Sequence, residues 1–110
     1  MNDSAVEFAK LKMLHAGAVL HQEGGQPVVL LPKFSFLSGG KGHTMDLLLH
    51  PSQHSGYDTR LFFERQTASA KAGWTSCRVL ERGWWAVSWK DVKPSMPWTS
   101  MLCEHLRAVE

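Results

Sequence analysis

Very little of this chain is given over to cysteine, to charge of one sign, or to long apolar runs. There are two cysteines in 110 residues, Cys77 and Cys103, too few for a disulfide framework. Twelve Lys/Arg against ten Asp/Glu leave a formal charge of only +2, which gives no electrostatic reason to expect a nucleic acid or an anionic membrane as partner. The longest apolar runs, such as Val28–Leu31 and Leu47–Leu49, fall far short of the twenty or so residues that cross a bilayer. The first residues, Asn2, Asp3 and Ser4, lack the basic-then-apolar order of a signal peptide. A soluble cytoplasmic protein with free thiols and no membrane association is the simplest expectation.

What is present points to a folded chain. Apolar residues make up 44% and there are five tryptophans, enough to build a small core in one domain spanning 1–110. Residues 4–16 read as an amphipathic helix carrying Val6, Phe8, Leu11, Leu14 and His15 on one stripe, with Ser4 and Glu7 spaced as a capping box. Strands follow at Ala18–His21 and Val28–Leu37, joined by the turn signal Gly24-Gly25-Gln26-Pro27, and Pro32 predicts a bulge, an edge position or a break. Further strands are expected at Thr44–Leu49 and Thr59–Gln66. A hairpin over Cys77–Glu81 and Trp84–Trp89 turns around Arg82-Gly83. The stripe Trp98, Met101, Leu102, His105, Leu106 and Val109 predicts a closing helix, with Ser95 as its cap. The fold class is therefore α+β: an N-terminal helix, an antiparallel β-meander of about four strands with an extra hairpin, and a C-terminal helix.

Three motifs invite chemistry. "SGGKGHT" (Ser38–Thr44) has the glycines and lysine of a phosphate cradle, but such a loop must open a helix, and a strand follows here. His50 and His54 have H-x₃-H spacing, yet Pro51 argues against the helix that would aim both at one metal, and no Cys or acidic cluster completes a ligand set. No metal and no cofactor is expected. "RGWWAVSWK" interleaves tryptophans with Arg82 and Lys90, as a platform for single-stranded nucleic acid does; alternating strand tryptophans more often fill a core or an interface.

"HTMDLLLHP" (His43–Pro51), the Gly56-Tyr57-Asp58 loop and "RLFFE" (Arg60–Glu64) resemble the third and fourth strands of prokaryotic ubiquitin-conjugating-enzyme-like (UBC-fold) proteins, the branch labelled family E. "GWWAVSWK" resembles that family's Trp-x-x-Trp-Ser-Arg-His segment, and "MPWTSMLCEHLRAV" its closing helix. The resemblance covers about residues 28–109. It implies a UBC-like fold and, in active members, a cysteine that accepts the C-terminus of a ubiquitin-like protein as a thioester. Cys77 is the thiol lying where that cysteine belongs. The departures are equally specific. No His-Pro-Asn precedes Cys77, His50-Pro51-Ser52 lies on the wrong side of the aromatic strand, and Lys90 stands where the family has histidine. The resemblance therefore implies a non-catalytic or divergent partner-binding module using Trp84, Trp85, Trp98 and Lys90, with a ubiquitin-like protein and its activating enzyme as partners. The alternatives are an active conjugating enzyme using Cys77, and a single-stranded nucleic-acid binder on the Trp84–Trp89 strand.

Overall fold

Three two-residue turns organise most of the chain. The computed structural model describes residues 4–53, 56–71, 73–90 and 92–110, and its elements follow the expected order. Helix α1 (Ser4–Leu14) leads into strands β1 (Val19–Glu23), β2 (Gln26–Ser38), β3 (Lys41–His50) and β4 (Arg60–Phe63). Strands β5 (Trp74–Val79) and β6 (Arg82–Val87) come next, then helix α2 (Trp98–Leu106) and a closing 3₁₀ turn, Arg107–Val109. The six strands form one antiparallel sheet in the order β1-β2-β3-β4-β6-β5. The last hairpin thus docks by its second arm and leaves β5 at the edge.

Gly39 and Gly40, at φ 60° and 79°, close the β2–β3 hairpin between Ser38 and Lys41. Such paired positive angles match the twist of the strands that they join. At Gly39 a Cβ would also lie 2.9 Å from the side chain of Ser69. The glycines of "SGGKGHT" therefore make a hairpin. The β5–β6 turn has the same geometry without glycine, at Leu80 and Glu81 with φ 53° and 58°. This corrects the expected turn at Arg82-Gly83: both residues lie within β6, and the Arg78 guanidinium steadies the true turn by donating to the Glu81 carbonyl. At Pro32 the register shifts between Leu31 and Phe34, and the Lys33 N–H donates to Asp46 Oδ1 at 2.9 Å instead of to the ladder. The bulge expected from proline is present.

Alternation along the strands fills both faces of the sheet. Val29, Leu31, Leu47, Leu49, Leu61 and Phe63 pack toward the helices, against Leu11 of α1 and Trp98, Met101 and Leu102 of α2. Val28, Leu48, Phe62, Val79, Trp84 and Ala86 form a second buried cluster. The sheet buries this second face by curling over it. A flat sheet would hold the β1–β2 and β5–β6 turns about 19 Å apart across four strand spacings, yet Glu23 Oε2 accepts the backbone N–H of Leu80. Arg82 closes the neighbouring end, lying 4.3 Å above the Trp84 ring and pairing with Asp46 at 3.1 Å. That ion pair comes after the Lys33 N–H in holding the Asp46 carboxyl below its usual range against the opposing effect of burial.

The helices differ from expectation at their ends. Val6 and Leu14 of the expected stripe are 50% and 57% exposed, and α1 buries only Glu7 and Leu11 fully. Glu7 does not fold back onto Ser4. Its Oε1 accepts the Trp98 N–H at 2.9 Å, at the first turn of α2, and its Oε2 pairs with Lys10 at 3.4 Å. Helix α2 starts from Pro97, which has no side-chain acceptor, so the expected Ser95 cap is replaced by a carboxylate from α1. Among the described residues no helix is long and apolar enough to cross a membrane.

Candidate functional site at Arg60 and Cys77

Strand β4 begins with a charge on a buried face. Since side chains alternate, Leu61 and Phe63 go to the helix side, and Arg60 shares the second face with Phe62. Arg60 is only 3% exposed. Its guanidinium lies 4.1 Å from the Tyr57 ring centroid and 6.0 Å from that of Phe62, and Nη1 donates to Cys77 Sγ at 3.9 Å. Among the described residues, Nε and Nη2 are buried without a hydrogen-bond partner. Among the described residues no carboxylate pairs with this cation. Aromatic faces offset part of the cost of a buried guanidinium, but full compensation needs a negative charge.

Two histidines border the arginine. His50 lies opposite it across the β3–β4 ladder, buried, with Nδ1 2.8 Å from the Ser52 carbonyl and the ring edge-on to Phe62. Burial lowers its pKa, opposed by the Ser52 carbonyl and the charge of Glu23. On the helix side, Thr59 gives its single hydroxyl proton to the Val92 carbonyl at 2.7 Å, so its oxygen accepts from His105 Nε2 at 2.8 Å. His105 therefore donates through Nε2. Its pKa is lowered to about 4, first by burial and then by the Arg60 charge.

Of the residues expected to act, Cys77 is half-buried on β5, facing this cluster. Among the described residues no imidazole or carboxylate is hydrogen-bonded to its sulfur, and nucleophilic catalysis at Cys77 would require such a base. The tryptophan surface is not assembled. Trp84 and Trp98 are 2% and 3% exposed and belong to clusters on opposite faces of the sheet. The Trp84 indole donates to the Val79 carbonyl at 3.1 Å, and Trp98 opens α2 against Glu7. Trp85 is half-buried opposite Phe63. Lys90 is exposed, beside a small pocket of 150 Å³ with Gly56, Tyr57 and Asp58. His54, the second residue of the H-x₃-H pair, lies outside the described residues. Among those described, no three His, Cys, Asp or Glu side chains gather as metal ligands.

Arg60 was the residue that motif reading missed. Its signal was parity: in "TRLFFE" it shares a strand face with Phe62. Replacing a buried unpaired cation with an apolar side chain of similar length removes a desolvation cost. We therefore expect Arg60→Met to raise the unfolding free energy at neutral pH by about 1–4 kcal/mol, measured by urea titration, and to move the His105 titration upward in NMR. A net loss of stability would show that the guanidinium is already compensated. Protein-family models, curated proteins and solved structures give no match to this chain.

Proposed function

We propose that this chain is a small bacterial UBC-like module that binds partner proteins in a ubiquitin-like conjugation pathway without itself catalysing transfer. The observation that carries the reading is the outer side of α1. Met13 is 89% exposed, Leu14 57% and Val6 50%. Val6 and Met13 stand two turns apart on one helical face, with Leu14 flanking them. Adjoining exposed apolar side chains of this kind mark interaction surfaces. The docking surface is therefore assigned to α1, in place of Trp84, Trp85, Trp98 and Lys90. The order of elements agrees with the UBC-like resemblance, and among the described residues no base is hydrogen-bonded to Cys77, which favours binding over transfer.

The test is titration of the isotope-labelled protein with the ubiquitin-like protein and the activating enzyme of the same cell. Shifts should centre on α1. Met13→Asp with Leu14→Asp should weaken binding by at least about tenfold, with thermal stability nearly unchanged because both sites are exposed. Binding to neither protein sinks the reading. A reducible adduct that disappears in Cys77→Ala would instead favour the active conjugating enzyme. Stacking of nucleic-acid bases on the Trp84–Trp89 strand gains no support, since Trp84 is buried beneath Arg82.

A further inference from the structure

We infer that Cys77 is a site of reversible oxidation by hydroperoxides, with Arg60 as the group that holds the oxidised sulfur. The inference starts from the arginine. A cation 3% exposed, stacked on Tyr57 and lacking a carboxylate among the described residues, leaves its charge uncompensated. The group capable of negative charge that it reaches through a hydrogen bond is the Cys77 thiol, 3.9 Å from Nη1. Among the described residues Nε and Nη2 have no partner, so the guanidinium retains donors for an oxygen added to that sulfur. A sulfenate at Cys77 supplies both the missing charge and the missing acceptor.

The chemistry balances with a hydroperoxide as oxidant. Sγ attacks one peroxide oxygen; the S–O bond forms as the O–O bond breaks. The departing hydroxide or alkoxide takes the thiol proton and leaves as water or an alcohol; the sulfenic acid so formed releases its O–H proton to solvent, leaving a sulfenate against Arg60. Sulfur is oxidised by two electrons and the peroxide is reduced by two. No resolving thiol is near, because Cys103 is exposed on α2, across the sheet from the face that Cys77 joins. Recovery therefore needs an external thiol. One equivalent displaces water to give a mixed disulfide; a second releases Cys77 and carries away a disulfide. The half-buried position admits a small peroxide more readily than a bulky reagent.

The two cysteines provide an internal comparison. Full-length Cys103→Ser and Cys77→Ser proteins are treated with hydrogen peroxide, and gain of one oxygen is followed by intact mass. Cys77 should oxidise about tenfold faster than the more exposed Cys103, and its product should return to the thiol with glutathione. Arg60→Gln should reduce the Cys77 rate to that of Cys103, with Arg60→Lys, which keeps charge and a donor, in between. A melting temperature that rises on oxidation of Cys77 supports the inference, since the new charge pairs with Arg60. Equal or faster oxidation at Cys103, or identical Cys77 rates in wild type and both folded Arg60 variants, overturns it.

Discussion

Lowering the pH from 6.5 to about 4 should remove about 3 kcal/mol from the unfolding free energy through His105 alone. The folded chain holds this ring neutral, donating to Thr59 beneath α2, and resists its protonation down to about pH 4. In the unfolded chain the same ring takes up a proton near 6.5. Between those values the unfolded state binds the additional proton, so acid favours unfolding throughout the window, and the effect levels off once the folded ring also titrates. His50 acts in the same direction. Asp46 belongs to a different window: its carboxyl is held below its ordinary 3.8, so the stability it adds is lost only at lower pH. Urea titrations at pH 7, 5.5 and 4.5 separate the contributions. His105→Gln, whose amide can still donate to Thr59, should flatten most of the slope at a modest cost at neutral pH. A wild-type protein equally stable at pH 7 and 4.5 would contradict the buried neutral ring.

Glu7→Ala should cost about 2 kcal/mol, an unusually large effect for removing a glutamate from a helix. The carboxylate is 6% exposed and accepts the Trp98 N–H across 91 positions of sequence. Its loss strands a buried donor at the start of α2, where Pro97 offers no substitute. It also removes a negative charge from the positive end of the helix dipole. Glu7→Gln keeps an acceptor without the charge, so about half of the loss should return. Chemical denaturation of the three proteins at neutral pH measures both steps. An alanine variant within a few tenths of a kcal/mol of wild type would show that water caps α2 instead.

Local patterns made most of the architecture legible. Gly24-Gly25 placed the first hairpin, Pro32 marked an irregularity in the second strand, and the Trp98–Val109 stripe placed the last helix. All are short-range signals in which backbone conformation follows directly from residue type. Errors arose where the deciding partner is distant. Glu7 read as a partner for Ser4, because nothing nearby reveals Trp98. Leu80 and Glu81 did not read as a turn, because neither is glycine; the latch to Glu23 and the Arg78 contact hold them there. The tryptophans read as a surface because neither their alternation nor the resemblance shows that both faces of the sheet are covered. The curl gives the second face a core of its own and takes Trp84 into it. Arg60 went unnoticed for the same reason: a charge at a strand end looks solvated until the face it shares with Phe62 is known to be covered.

The bridge from Glu23 to Leu80 also governs the order in which the chain can be completed. During synthesis the first four strands emerge with Val28, Leu48 and Phe62 uncovered, and the residues that curl the sheet over them lie at 74–87. Until that hairpin arrives, the emerging protein presents an apolar face with no internal occupant. Contacts of such separation slow folding and leave unpaired strand edges available to other chains. The nascent form is thus the stage at which a chaperone has most to cover, and closure of the latch ends that exposure.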